Sequence, residues 1–217
     1  MTDLTLVLGN KNYSSWSLRG WLALKQTGAE FDELVIPLYR DDYQVEIRRH
    51  SPSGRVPVLR HGDVTIWDSL AIGEYLAEVF PESGLWPRDR VARATARAAA
   101  AEMHAGFAAL REHLPMNIRG RFPDRGVTPE VQQEINRITA LWRDCRTRFG
   151  GDGPFLFGDF TIADVMYAPV VTRFHTFAID LDETSSTYCA AVRAWPAMVE
   201  WAAAAADEPW IVDYAEF

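Results

Sequence analysis

Apolar and polar positions alternate in short runs as far as Pro81 and in helical periods beyond it, and that change divides the chain. Thr5–Leu8 predicts a strand. The segment after it carries Leu18, Trp21 and Leu22 on one helical face until Gly28 supplies a stop. Phe31–Ile36 predicts a second strand, parallel to the first because a helix connects them. Asp42–His50 predicts a short irregular helix. Val56–Arg60 and Val64–Trp67 predict two strands around a Gly62-Asp63 hairpin turn. Asp68 then opens a helix whose stripe is Ile72, Tyr75, Leu76, Val79 and Phe80. The order β-α-β-α-β-β-α makes a small α/β layer with an antiparallel hairpin added to a parallel pair.

PESGLWPRD, with two prolines and a glycine, reads as a linker, and no strand pattern recurs after it. Arg90–Leu114 predicts one alanine-rich helix closed by Pro115, followed by a loop containing Gly120, Pro123 and Gly126. Pro129–Phe149 predicts a helix with Val131, Ile135, Ile138, Trp142 and Cys145 on one side. Another begins at Thr161, with Pro169 expected to kink or shorten it, and a last one spans Pro196–Ala206. The expected organisation is an α/β domain over 1–81, a linker over 82–90 and an all-helical domain over 91–217.

Composition changes this picture mainly by exclusion. Hydrophobic residues at 48% and charged residues at 24% suit a globular chain, and no apolar run approaches the ~20 residues of a membrane span. The first residues lack the pattern of a signal peptide, so a cytoplasmic protein without a membrane partner is expected. A net charge of −8 argues against nucleic acid as a partner. Cys145, Cys189 and five scattered histidines show no metal-ligand spacing, and no metal is expected. The reactive group is expected to arrive with a ligand.

Three stretches carry candidate chemistry. In YSSWSLR, Ser14, Ser15 and Ser17 cluster where a helix begins, a place that suits a bound anion, a thiolate included. The same serines could simply cap the helix. At Val56-Pro57 a cis peptide bond would leave Val56 free to pair with an extended peptide ligand, while a trans bond would mark an ordinary edge strand. Asp68-Ser69 is either a helix cap or a head-group site, with Ser69 and backbone N–H groups taking a carboxylate and Asp68 an ammonium. A fourth stretch, GDFTIADV, reads as structural: Thr161 and Asp164 have capping-box spacing inside a Phe160/Val165 staple, and loss of the Thr161 cap should cost ~0.5–2 kcal/mol.

The serine cluster, the VP before a strand, the D-S pair and the late G-D-x-T-x-A-D box occur together in this order. That combination resembles the cytosolic glutathione transferases over nearly the whole chain, and YSSWSLR is similar to the S-S-C-S-x-R run of the zeta class, with Trp16 in place of the cysteine. The resemblance implies a thioredoxin-like first domain, a helical-bundle second domain, glutathione as co-substrate, a small electrophilic second substrate and a homodimer. By position it implies Ser14 as the hydroxyl on the glutathione sulfur, aided by Ser15 and Ser17. Val56 before a cis Pro57 would pair with the cysteinyl backbone. Asp68 and Ser69 would hold the γ-glutamyl end, and Arg55, or Arg40, the glycyl end.

A thiol of pKa near 8.5 needs ~2.7 kcal/mol of preference for the anion to ionise ~2 units lower. One hydroxyl donor (~1.5–3 kcal/mol) and a helix N-terminus (~0.3–1 kcal/mol) are together of that size. Met103, Phe107, Arg111, Met116 and Asn117 are the candidates for the electrophile pocket, although helical spacing also fits Met103 and Phe107 to the core. The alternatives to a transferase are a glutathione-dependent cis–trans isomerase of the maleylacetoacetate type and a non-catalytic binding module on the same fold.

Overall fold

Alternate residues of the first strand face two different cores. In the computed structural model of the chain, which describes residues 3–217, β1 (Leu4–Leu8) points Leu4, Leu6 and Leu8 to one side of the sheet and Val7 to the other. The first side is covered by α1 (Ser15–Gln26) and α3 (Ser69–Val79), through Leu18, Trp21, Leu22, Ile72 and Leu76. On the second, Val7 and Val58 meet Ile47 of α2 (Tyr43–His50) in a small separate cluster. The strand order is β2-β1-β3-β4, with β2 at Asp32–Val35, β3 at Val58–His61 and β4 at Val64–Trp67. β1 is parallel to β2 and antiparallel to β3, and β3 is antiparallel to β4. This is the expected thioredoxin-like layer.

β3 begins at Val58 rather than Val56, so Val56 lies outside the ladder, and the Val56-Pro57 peptide bond just before it is cis. Gly20 of α1 lies against this proline: a Cβ there would sit 2.8 Å from Pro57 Cγ and 3.0 Å from its Cβ. A proline ring cannot rotate out of the way, so Gly20→Ala should push the 56–57 segment off its position. The expected cost is ~1–3 kcal/mol in urea unfolding, as for an overpacked core.

The helical domain comprises α4 (Arg90–Ala105), α5 (Ala108–His113), α6 (Pro129–Phe149), α7 (Ile162–Thr176), α8 (Glu183–Ala194) and α9 (Pro196–Ala206). Its core is continuous with that of the sheet and is centred on α7, which packs against α1, α4 and α8. The capping box is formed: Asp164 Oδ2 accepts the Thr161 N–H at 2.9 Å and its hydroxyl at 3.1 Å, and Oδ1 accepts the Leu156 N–H at 3.1 Å. One carboxylate thus ties the preceding loop to the helix.

Two expectations need correction, and α8 is an addition to them. The single helix over Arg90–Leu114 is two. Gly106 ends α4, Phe107 takes a left-handed φ of 61°, and Glu134 of α6 accepts the Ala109 and Leu110 N–H groups at 3.4 and 2.7 Å. The capping carboxylate comes from another helix, so no local pattern announces the break. α7 does not end early at Pro169 but runs to Thr176, held by burial of nearly every residue along it. α8 was not expected from the sequence, although Tyr188, Cys189 and Val192 recur at helical spacing on its buried face. Asp182 opens it by accepting the Ser185 N–H at 3.0 Å and the Ser185 hydroxyl at 2.8 Å.

Among the described residues no helix is long and apolar enough to cross a membrane, and no three His, Cys, Asp or Glu side chains group as a metal site. Cys145 and Cys189 are buried, and burial pushes both thiols up to about 12, which leaves them protonated and inert.

Candidate active site

α1 starts where it does because Ser14, with extended backbone angles, caps it: its Oγ accepts the Ser17 N–H at 3.3 Å. The same Oγ donates to Ser17 Oγ at 2.7 Å, and Ser17 Oγ also accepts the Gly9 N–H at 2.8 Å. The three groups form a short polar chain from the end of β1 to the first turn of α1. The cap and the candidate thiolate donor are therefore the same atom.

Two cavities meet at Trp16, which lines both. The smaller, about 200 Å³, is walled by Ser14, Ser15, Arg111, Met116 and Arg173, with Tyr13, Tyr39 and Tyr214 beside them. The larger, about 650 Å³, is walled by Arg55, Val56, Pro57, Asp68, Ser69 and His104.

Asp68 occupies the wall of the larger cavity with φ at 77° and does two things there. Its Oδ1 caps α3, accepting the Leu70 N–H at 2.9 Å and the Ala71 N–H at 3.2 Å, and its Oδ2 lies 3.1 Å from His104 Nε2. Ser69 Oγ is buried with no hydrogen-bond partner among the described residues. An unsatisfied hydroxyl at a helix N-terminus, one residue from a half-exposed carboxylate, presents a carboxylate receptor next to an ammonium receptor.

Positive charge dominates the smaller cavity, whose wall contains no carboxylate. The Arg111 and Arg19 guanidinium groups each lie 4.7 Å from the Trp16 ring centroid. Arg19 is fully buried. Its Nε donates to the Met166 carbonyl at 3.0 Å, and neither Nη has a partner among the described residues. Burial, with Arg111 and Arg173 nearby, holds the Arg19 pKa well below its ordinary value. Burial and Arg111 likewise bring Arg173 down to about 9. At about 9 Arg173 stays protonated at neutral pH, and the Arg111 and Arg173 guanidinium groups share the cavity wall with Trp16 and the serines at the head of α1.

The sequence-expected residues divide accordingly. Ser14, Ser15, Arg111 and Met116 share the smaller cavity, and Arg55, Val56, Pro57, Asp68 and Ser69 share the larger. Ser17 is fully buried and lines neither; it supports Ser14. Arg40 lies on a separate depression with Arg49 and Glu46. Met103 is core, and its carbonyl accepts a hydrogen bond from Arg111. Phe107 is buried at the α4–α5 break and faces neither cavity. Asn117 is fully buried and structural: its Oδ1 accepts from Asn12 Nδ2 and the Gly120 N–H, and its Nδ2 donates to the Ala215 carbonyl. It ties the C-terminal segment to the β1–α1 loop, where Glu208 also accepts the Lys11 and Asn12 N–H groups at 2.6 and 2.9 Å. That docking brings Tyr214 to the cavity wall, its hydroxyl 3.3 Å from that of Tyr39.

Three site residues escaped the reading of the sequence. Arg173 sits in the apolar helix α7, where a lone cation is itself a signal. His104 faces Asp68 from the far end of α4, a pairing no sequence spacing reveals. Trp16, noted only as a replacement, divides the two cavities.

With this geometry in hand, the comparisons with known proteins bear on each half. Residues 13–79 match the family model described as "Glutathione S-transferase, N-terminal domain", and residues 91–215 match "Glutathione S-transferase, C-terminal domain". The maleylacetoacetate isomerase of Rattus norvegicus is 30% identical over 172 residues, spanning 77% of this chain and 76% of that one. Glutathione S-transferase 1 of Dianthus caryophyllus is 42% identical over 81 residues, which are 37% of this chain and 36% of that one. Among solved structures, a glutathione transferase homologue from Burkholderia with bound glutathione has a TM-score of 0.71 at 24% identity, over 94% of this chain and 98% of that one, a likeness of fold. The two family models cover both domains from Tyr13 to Ala215, and the chain belongs to the glutathione S-transferase family.

Proposed function

We propose that this protein transfers glutathione to a small electrophile, with the tripeptide along the larger cavity and its sulfur at the head of α1. Val56, outside the β3 ladder, pairs with the cysteinyl backbone; Asp68 and Ser69 take the γ-glutamyl ammonium and carboxylate; Arg55 takes the glycyl end. The observation that carries this reading is the position of Ser14 in the wall of the smaller cavity, which shares Trp16 with the larger.

Ser14 donates its proton to the sulfur by turning it away from Ser17 Oγ, and Ser17 donates its own proton back to Ser14 Oγ. Ser14 Oγ then accepts from the Ser17 hydroxyl as well as the Ser17 N–H, which strengthens it as a donor through cooperative polarisation. The helix N-terminus and the guanidinium groups of Arg111 and Arg173 act in the same direction. The thiolate attacks the electrophilic carbon, a C–S bond forms, and the leaving group departs with the electron pair of the bond it breaks. Ser14 stays a hydrogen-bond donor throughout and forms no covalent bond.

A second reading is favoured by the arginines. A cavity with Arg111 and Arg173 and no acid suits an electrophile that carries a carboxylate, and reversible thiolate addition to a conjugated carboxylate gives cis–trans isomerisation. Assays of aryl-halide conjugation and maleylacetoacetate isomerisation on one preparation separate the two. In either case Arg111→Ala should raise KM for a carboxylate-bearing electrophile by about 5–30-fold, the worth of ~1–2 kcal/mol, and leave a neutral one within about twofold. Turnover of neither class by a protein retained on glutathione resin would leave the binding module instead.

A further inference from the structure

The peptide groups just before Ser14 are held from outside their own domain. Both N–H groups and both carbonyls of Lys11 and Asn12 pair with residues beyond the linker. The Lys11 carbonyl accepts from Trp201 Nε1 of α9 at 2.8 Å, and the Asn12 carbonyl accepts the Ile118 N–H at 3.3 Å. The two N–H groups converge on one carboxylate. Glu208, two residues past the end of α9, accepts the Lys11 N–H on Oε1 at 2.6 Å and the Asn12 N–H on Oε2 at 2.9 Å. From there the turn runs straight into the cap of α1. The Asn10 carbonyl accepts the Tyr13 N–H at 3.3 Å and the Ser14 N–H at 2.8 Å, so a displacement of Lys11 and Asn12 inside that turn carries Ser14 with it.

Holding a carboxylate there opposes its own solvation. Glu208 is 9% exposed, and burial pushes its carboxyl up, while the Asn12 and Lys11 N–H groups, Arg119 and the Lys11 ammonium work the other way. The Lys11 ammonium is itself paired with Glu33 at 2.6 Å, and the Arg119 guanidinium donates to the Glu208 backbone carbonyl. The side-chain oxygens are left to the two amides. A buried carboxylate spent on consecutive N–H groups of one turn makes charge-assisted bonds that are shorter and stronger than neutral ones, and it fixes that turn in place.

We propose, on the reading that Ser14 donates to the glutathione sulfur, that Glu208 is the positioning residue of that donor: from the end of α9 it fixes the turn from Asn10 to Ser14, and with it the aim of the Ser14 hydroxyl. Glu208 lines neither cavity at Trp16, so it acts through the turn and not on a ligand. The helical domain thereby sets the geometry of a donor that belongs to the first domain.

The sign of one shift separates position from charge. Loss of a nearby negative charge would by itself lower the pKa of bound glutathione, whereas a displaced Ser14 raises it. In Glu208→Ala the thiol midpoint, read by ultraviolet titration, should rise by about 0.5–1 unit, and kcat/KM at neutral pH should fall about 3–10-fold with it. The Kd of S-hexylglutathione, which has no thiol to ionise, should stay within about twofold, because Val56, Asp68 and Ser69 line the other cavity. Glu208→Gln keeps one acceptor oxygen and should show a smaller rise of the same sign; it carries the test where Glu208→Ala does not fold. Placed on Ser14→Gly, Glu208→Ala should add nothing further to the thiol pKa, as expected of two changes that act through one contact. A lowered melting temperature with the thiol pKa unmoved or lowered, or an equal rise on the Ser14→Gly background, overturns the proposal. Ser14→Gly with the parent's thiol pKa would overturn the role of Ser14 itself, and this one with it.

Discussion

Replacing Ser14 by glycine should raise the pKa of bound glutathione by about 1–2 units and lower kcat/KM at neutral pH by about 10–100-fold. The size follows from one hydroxyl donated to an anion, ~1.5–3 kcal/mol at 1.36 kcal/mol per unit. Glycine is the better replacement because Ser14 is also the N-cap of α1. Alanine there would add ~0.5–2 kcal/mol of lost capping to the lost hydroxyl, whereas glycine costs a few tenths. Ser14→Thr keeps both oxygen and cap and should recover most of the rate. The competitor for the same role is Ser15, which lines the same cavity and whose hydroxyl makes no hydrogen bond among the described residues. Ser15→Ala with the larger rise in thiol pKa would transfer the role to it. The shift should be visible in the pH–rate profile as well: the acidic limb of kcat/KM should move upward with the thiol pKa, because the thiolate is the reacting form.

The second large effect is expected at Asp68. Asp68→Asn should raise KM for glutathione by about 5–30-fold and leave kcat at saturation within about threefold, because a head-group contact is made equally in the ground and transition states. Its magnitude, ~1–2 kcal/mol, is set below that of a buried charged hydrogen bond because the Asp68 side chain is 42% exposed. Asparagine isolates the charge. It keeps an Oδ1 to accept the Leu70 and Ala71 N–H groups, and it is among the side chains best suited to a φ of 77°. Asp68→Ala would lose the cap and strain the backbone, and its larger effect would say less. Steady-state kinetics in varied glutathione, with thermal unfolding alongside, separate the two contributions.

What the sequence made legible was whatever local chemistry decides. Thr161 and Asp164 announced the start of α7, Pro129 and Gly150 bracketed α6, and the Gly62-Asp63 turn paired β3 with β4. Ser14, Asp68 and Ser69 were legible for the same reason, since each sits at a helix N-terminus where its side chain has a defined task. What stayed hidden depends on partners far along the chain. The break at Gly106-Phe107 needs Glu134, 27 residues on from Phe107 by numbering, to cap α5 from another helix. Asn117 looked like a pocket residue because it is a polar group in the loop after the helix that closes at Pro115; the C-terminal segment that buries it is a tertiary event. Arg173 reaches the cavity only because α7 is buried on all sides and has nowhere else to place a guanidinium. Met103 and Phe107 were fitted by helical spacing to the core as well as to a pocket, and both are buried.

Ultraviolet titration of the glutathione thiolate bound to the parent protein bears on all of this at once. With Ser14, the α1 N-terminus and the surrounding guanidinium groups acting together, ionisation should be centred about 2 units below the free thiol's pKa of about 8.5. In Ser14→Gly the midpoint should return most of the way to the free value. Bound thiol that ionises at the free value in the parent protein would contradict the thiolate mechanism, whatever the fold.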